Sequence, residues 1–435
     1  MEKTKSIFDK FKANAFYRNI VLVAGGNAIA KLIGIALIPI ITRLYSPADF
    51  GIFNIFISIF GIIGSLATMR YAIAIPIVKD ESTAYNLLRL CFLATLTLCL
   101  SLVFLVAVFG QQVAELYEIQ YLKTYLWFIP IALLGKGVYE ALNNWAIRSR
   151  SFRLITRTSI SQGISSSGTK IGLGILNIKP LGLFIGQIAQ EAAGIISLSS
   201  RLVKTNPTFF STFSIIEIKR VAIRYKRFPL IQSWSQLLLA TGAQLPILML
   251  GVFYNAEVVG VFGLAKSMIH IPVDLIGQSV SQVYYAEISE FGKEKPDKIY
   301  ALSVALMKKL FFMGFIPVAF LIFFGPRVFG IVFGPEWVEA GAYARFLSIY
   351  VMVVFISAPL ANVFNIYERM DLQFKLNLIR VVYVALIFIV CQFLSLSALQ
   401  TVTVFSVGMM FYFILLTGVI LRLLKGNLAK NEVYK

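Results

Sequence analysis

The chain has 435 residues, 58% of them hydrophobic and only 14% charged, yet its formal net charge is +19. Average globular proteins run at about 45–50% apolar and about 25% charged, so the composition excludes a soluble multidomain protein and assigns most of the chain to lipid. The three cysteines (Cys91, Cys99, Cys391) lie inside apolar runs and there is one histidine, which leaves neither a disulfide framework nor a Cys- or His-rich metal site. A bilayer core takes about 20 apolar residues per helix. Runs of that length predict spans at 19–41, 50–76, 86–110, 121–146, 158–178 and 180–200. A second set follows at 228–253, 258–284, 300–325, 343–366, 374–395 and 398–424. No ten-residue alternation occurs, so a membrane β-barrel is excluded. The expected fold class is an all-α polytopic membrane protein of about twelve transmembrane helices.

The segments outside the spans are short. Lys3, Lys5, Lys10, Lys12 and Arg18 precede the first span without a cleavage site, so no signal peptide is read there. Ile7, Phe8, Phe11 and Ala15 form one face of a short interfacial helix, or belong to a solvated tail. Segment 201–227 places Lys219, Arg220, Arg224, Lys226 and Arg227 among Ile215, Ile216, Ile218, Val221 and Ile223. It reads either as a basic amphipathic helix on the inner leaflet or as a charged linker. The domain organisation expected is an N-terminal lobe at 1–200, this linker at 201–227 and a C-terminal lobe at 228–435. No loop is long enough for a soluble catalytic domain.

Sorting the 40 lysines and arginines by loop puts 30 on the side of the termini, five on the opposite side and five inside spans. Basic residues accumulate on the cytoplasmic side, so both termini are expected in the cytosol. The net charge therefore marks orientation and not nucleic-acid binding. A trace of duplication accompanies this layout. Tyr45, Gly51 and Phe53, between the first two spans, match Tyr254, Gly260 and Phe262, between the seventh and eighth, at a constant offset of 209. Six spans on each side of the linker imply a parallel repeat, a design that places a substrate site between lobes near the midplane.

A charge at the bilayer centre costs about 2.5–3.5 kcal/mol on insertion scales, so each intramembrane polar residue needs a reason. Lys266, His270, Asp274, Gln278 and Gln282 recur every four residues in the eighth span, which winds them into one stripe. Gln232, Gln236 and Gln244 keep that spacing in the seventh, and Asn19, Asn27 and Lys31 share a face in the first. Arg70, Lys136 with Glu140, Lys170, and Gln187 with Glu191 complete the set. Lys136 and Glu140 read as a mutually neutralising pair that holds helices together. Lys31 and Lys266 lack an acidic partner within one turn of their own helix and read as substrate-facing. Prolines such as Pro39, Pro246, Pro272 and Pro317 would let spans bend.

The segment Leu37-Ile-Pro39-Ile-Ile-Thr42-Arg43-Leu-Tyr45-Ser-Pro47-Ala-Asp49-Phe50-Gly51-Ile-Phe53, followed by Leu66-Ala-Thr-Met-Arg70-Tyr71, resembles the opening of the polysaccharide-exporter branch of the multidrug/oligosaccharidyl-lipid/polysaccharide (MOP) flippase superfamily. Within that branch it is most similar to O-antigen flippases, which move undecaprenyl-pyrophosphate-linked oligosaccharides across the bacterial inner membrane. Ala72 stands where the family usually carries an acidic residue after the Arg-Tyr pair. The resemblance implies two six-helix lobes in a V around a cationic cavity, alternating access, and no bond-making chemistry or cofactor beyond a coupling proton or sodium ion. The expected head-group ligands are Lys31, Lys266, Arg70, Asn27, Gln236 and Gln278. Asp274, His270 and Glu191 are the candidate ion-coupling groups. Expected partners are the lipid-linked oligosaccharide and membrane lipids, with a polysaccharide polymerase and a chain-length regulator as further candidates. The alternatives are a MOP-fold peptidoglycan-precursor flippase or a drug or cation antiporter. The antiporter is disfavoured because the spans hold five basic residues against three acidic ones.

Overall fold

Helices follow the apolar runs almost everywhere, and each interruption coincides with a proline, a glycine or a polar residue that bonds the freed backbone. The computed structural model describes residues 15–119, 122–205 and 214–433, with side chains left out for 15–24, Asn27 and 427–433. The face formed by Ile7, Phe8, Phe11 and Ala15 lies outside the described side chains. Among the described residues there is no strand. In chain order the helices are α1 (Ala15–Leu44), α2 (Pro47–Gly64), α3 (Glu81–Leu116), α4 (Leu122–Leu126), α5 (Phe128–Arg148), α6 (Phe152–Ile175), α7 (Leu181–Ala192) and α8 (Ile195–Thr205). They continue as α9 (Ile215–Arg224), α10 (Ser233–Phe253), α11 (Ala256–Phe291), α12 (Pro296–Phe333), α13 (Val338–Leu360), α14 (Val363–Ile366), α15 (Met370–Phe393) and α16 (Ala398–Val433). Nine helical segments of the described residues are long and apolar enough to cross a membrane. Helices α1, α5 and α6, also long enough, fall outside that set; α5 carries Lys136, Glu140 and Arg148, and α6 carries Arg153, Arg157 and Lys170. The chain is a multi-pass membrane protein.

Several boundaries differ from expectation. The second span does not run to residue 76: α2 stops at Gly64, and turns lead to a 3-10 turn at Tyr71–Ala74. Met69 and Arg70 take left-handed backbone, with φ of 48° and 61°. Arg70 therefore sits in a break and not within a continuous helix. Non-helical backbone at such a position needs partners. The Thr95 hydroxyl donates to the Ala67 carbonyl at 2.9 Å, and past the 3-10 turn the Arg148 guanidinium donates to the carbonyls of Ile75 (3.2 Å), Lys79 (3.1 Å) and Val78. The sixth span is likewise divided, at Gly194, whose φ of +92° ends α7 and turns the chain into α8.

The chain forms two compact units, one comprising 1–45 and 56–240, the other 46–55 and 241–435. In the first, α1 packs on α6, and α5 packs on α3 and α7. Its core joins Leu87, Leu88 and Cys91 of α3, Leu142 and Trp145 of α5, Ile75 of the break and Leu198 of α8. Helix α9 belongs to this unit. It is amphipathic: Ile218 and Val221 are buried, while Ile215, Ile216 and Ile223 remain exposed beside Lys219 and Arg220. The Tyr71 hydroxyl donates to the Ala222 carbonyl at 3.3 Å and ties α9 to the break.

In the second unit, α13 packs against α11, α12 and α16. Tyr284 and Ile288 of α11, Ile299 of α12, Phe364 of α14 and Leu424 of α16 form a core. Outward, Phe312, Ile316 and Phe323 of α12 are each more than 70% exposed, which only a hydrocarbon solvent tolerates in such density. The repeat is visible in local structure. Ser46 and Asn255, 209 apart, cap α2 and α11: Asp49 accepts from the Ser46 amide (3.0 Å), and Asn255 Oδ1 accepts from the Val258 amide (2.9 Å). Tyr45 donates to the Lys170 carbonyl at 2.7 Å, and Tyr254 donates to the Leu396 carbonyl at 2.8 Å.

Helix α3 begins at a cap whose chemistry titrates. Asp80 accepts from the Thr83 amide at 2.7 Å and from the Ser82 hydroxyl at 2.8 Å. Hydrogen bonds from Thr83, then Ser82, hold its carboxyl at about 2, below the ordinary 3.8. A depressed value stabilises the folded end above the ordinary pKa, and that contribution fades as pH falls from about 4 towards 2. Amide exchange at Thr83 is expected to be slow at pH 6 and to accelerate through that window relative to intrinsic exchange. In Asp80→Ala it should be fast at every pH.

Candidate functional site

Each unit gathers intramembrane charge around its own helices. In the second unit the every-fourth-residue stripe of α11 is a real surface. Its lower part, His270, Asp274, Gln278 and Gln282, lines a cavity of about 510 Å³ that Phe355 of α13 helps to close. Asp274, Gln278 and Gln282 are exposed, and His270 is half-buried. Ser281 also lines the cavity and accepts from Asn362 Nδ2 at 2.8 Å, at the break between α13 and α14. The structure gives His270 a partner beyond its own helix: its Nε2 lies 3.3 Å from the Tyr350 hydroxyl of α13. Asp274 acts on it electrostatically, so the predicted His270–Asp274 pair is one side of a triad with Tyr350.

At the upper end of the stripe, Lys266 Nζ donates to the Ala243 carbonyl of α10 at 2.6 Å. Beside it, a Cβ on Gly242 would stand 2.8 Å from an Nη of Arg380. The two cations thus converge on consecutive backbone positions of α10, and Arg380 acts electrostatically on Lys266. Tyr350 and Tyr412 act electrostatically on the guanidinium. Arg380 falls inside the predicted span at 374–395 but is counted with the cytoplasmic charges and not among the candidate ligands; it lies well inside α15, which begins at Met370. The signal was available: Leu376, Leu378 and Ile379 precede it, so the arginine interrupts an apolar run and does not head one. Two neighbouring half-buried cations repel each other. An anion placed beside both would offset that repulsion.

The first unit carries a different constellation. Lys136 and Glu140 of α5 do not form the isolated pair expected. Glu140 lies in the fields of both Arg70 and Lys136, and Glu191 of α7 in those of Lys136 and Lys170. Lys136 Nζ also sits 4.9 Å from the Phe60 ring centroid, a cation–π distance. Glu191 accepts from Gln187 Nε2 at 2.8 Å and lies against Gly135, where a Cβ would come within 3.2 Å of its own Cβ. The stem of Lys170 runs along Gly186. Glycine is needed at both places to let helices approach closely enough for the charges to meet. Three cations and two carboxylates from α5, α6, α7 and the break therefore alternate, leaving one positive charge in excess.

Of the remaining predicted residues, Lys31 is exposed on α1 in the first unit, and Gln236 is half-buried on α10, also in the first unit. The Asn27 side chain lies outside the described residues. The structure brings Lys266, His270, Asp274 and Gln278 together on α11, and Arg70 with Glu191 through Glu140 and Lys136. Among the described residues no group of three His, Cys, Asp or Glu is placed to hold a metal ion.

Comparison with known proteins follows from this geometry. A family model described as polysaccharide biosynthesis protein matches residues 40–342. No curated protein matches the chain in sequence. Among solved structures, the chain is similar to an inward-facing multidrug resistance MATE transporter of the MOP superfamily (TM-score 0.71, 15% identity, covering 91% of this chain and 94% of that one). It is equally similar to the lipid II flippase MurJ in an inward closed conformation (TM-score 0.71, 14% identity, covering 95% and 92%). A MOP superfamily transporter from Pyrococcus furiosus, described as having a binding pocket of reverse polarity, aligns at a TM-score of 0.55 and 14% identity, covering 95% and 96%. At these identities the likeness establishes the MOP fold.

Proposed function

The chain belongs to the polysaccharide biosynthesis protein family, and from that membership we propose that it flips undecaprenyl-pyrophosphate-linked O-antigen or related polysaccharide units from the cytoplasmic to the periplasmic leaflet of a bacterial inner membrane. The observation that carries this reading is the paired cation of Lys266 and Arg380 above a polar stripe on α11. A pyrophosphate presents two or more negative charges and several acceptor oxygens. Arg380 supplies a planar fork and Lys266 a point charge for them, while Gln278 and Gln282 offer amides to sugar hydroxyls. Lys31, Arg70, Asn27 and Gln236 are proposed to contact the head group at other stages of the crossing. Glu191, Asp274 and His270 are proposed to carry a coupling proton or sodium ion. The termini are proposed to lie in the cytosol, and a polymerase and a chain-length regulator are proposed as partners.

No bond is made or broken in this cycle; what is required is differential affinity for two access states. The test is complementation. In a bacterium lacking its own exporter, the chain is expected to restore surface polysaccharide without altering the sugar–lipid bond. Restored resistance to organic cations without surface polysaccharide would favour an antiporter, and restored precursor supply for peptidoglycan would favour the lipid II reading.

A further inference from the structure

The polar cavity of the second unit draws unlike side chains from its two helices. Along α11, His270, Asp274, Gln278 and Gln282 present donors and acceptors, while α13 contributes Val354, Phe355 and Ala358. Phe355 is buried, at 6% exposure, and a Cβ on Gly277 of α11 would lie 3.7 Å from its ring. The cavity's volume, about 510 Å³, falls within the range of about 300–1,000 Å³ that small-molecule pockets occupy. With His270 neutral, Asp274 is the one formal charge among the described residues that line it. Lys266 and Arg380 are not part of that lining. Lys266 precedes Asp274 by eight residues, about 12 Å along α11 at about 1.5 Å per residue.

We propose that this cavity receives the distal sugars of the lipid-linked substrate and admits neutral or amino sugars while rejecting uronic acids, with Asp274 as the selecting side chain. The inference rests on the flippase reading above, in which Lys266 and Arg380 hold the pyrophosphate. The glycan is bonded to the pyrophosphate on the side away from the lipid, and the polar stripe of α11 leads from the cation pair into the cavity. A sugar ring carries hydroxyls at its edge and C–H groups on its faces. The amides and carboxylate of α11 suit the edge, and the apolar side chains of α13 suit a face. Ionised Asp274 accepts hydroxyl or ammonium protons and donates none. A sugar carboxylate beside it would meet like charge, with no cation in the lining to offset it. An amino sugar would meet opposite charge. An unfavourable contact for the wrong glycan, and not affinity for the right one alone, thus sets which units pass.

The test uses the full chain in proteoliposomes and a polyprenyl pyrophosphate disaccharide whose distal glucose carries a diazirine. Labelling is expected on peptides containing Gln278 or Phe355. Three competitors without the diazirine differ only in the distal residue: glucose, glucosamine or glucuronic acid. Glucosamine is expected to suppress labelling at least as well as glucose, and the glucuronic acid compound to require about tenfold more. Asp274→Asn should bring glucuronic acid close to parity with glucose. Gln282→Lys, independently, should do the same or favour the acid. Each variant is read as a ratio of two competitors, which cancels any part Asp274 plays in ion coupling or folding. No labelling of α11 or α13, parity of glucuronic acid in the native chain, or a gap unchanged in both variants overturns the selection. If the native chain also fails to translocate the glucose probe, the flippase reading falls with it; if translocation persists, the selection falls alone.

Discussion

Exchanging Lys266 and Arg380 together for methionine is expected to abolish polysaccharide export while leaving the melting temperature unchanged or raised. The two cations converge on Gly242 and Ala243 of α10, and their mutual repulsion is a cost the apo protein bears. Removing both relieves that cost, and methionine fills similar volume. Hydrogen bonds to charged groups contribute about 1.5–3 kcal/mol each. Losing one therefore weakens pyrophosphate binding roughly tenfold to a hundredfold, and losing both leaves little. Arg380→Lys keeps the charge but loses the fork, so an intermediate defect is expected. Added pyrophosphate should raise the melting temperature of the native chain and not that of the double variant. A double variant that unfolds would identify the pair as interhelical glue, and one that exports normally would remove it from the mechanism.

Gly260→Val is expected to eliminate folded protein from the membrane. A Cβ at Gly260 would overlap the carbonyl oxygen of Pro47, and one at Gly51 would overlap that of Ala256. Pro47 and Gly51 are the counterparts of Ala256 and Gly260 at the offset of 209, so the two copies of the motif meet reciprocally through their glycines. Backbone atoms have no rotamer to yield, so the overlap displaces a helix. Overpacking ordinarily costs about 1–3 kcal/mol and here should exceed that range. Gly51→Val should be as damaging, and the double variant little worse, because both act on one contact. Gly418→Ala on α16, with nothing within 4 Å of the added carbon, is the matched control and should be neutral or slightly stabilising. Detergent-extracted, size-resolved protein levels read all four.

The same motif illustrates what was legible beforehand. Tyr45, Gly51 and Phe53 with Tyr254, Gly260 and Phe262 were visible as a spaced match, because close helix approach demands glycine and a tyrosine hydroxyl demands an acceptor. Apolar runs were visible because lipid requires them, and nine helical segments of the described residues are long and apolar enough to cross it. The break after Gly64 was not, since Leu66, Ala67 and Met69 are as apolar as a helix would be. The Ala67 carbonyl in that break accepts from Thr95 of α3, 28 residues on, a tertiary contact with no signature in the local pattern. The α11 stripe was legible from spacing alone. Its neighbour Arg380, inside the predicted span at 374–395, was not, because its approach to Gly242 of α10 is a tertiary contact that spacing does not encode. Lys136 and Glu140 could be paired by their i, i+4 spacing, but Glu191 joins them through tertiary contact that no local pattern encodes.

Translocation itself is the most direct measurement. Proteoliposomes carrying the purified chain and a fluorescent polyprenyl-pyrophosphate oligosaccharide in both leaflets are treated with a membrane-impermeant quencher. Fluorescence in the inner leaflet is expected to become accessible within minutes, with the lipid chemically unchanged, and to stay protected in the Lys266→Met, Arg380→Met variant. Fluorescence that stays protected in the native chain, while the same vesicles exchange organic cations, would contradict the flippase reading.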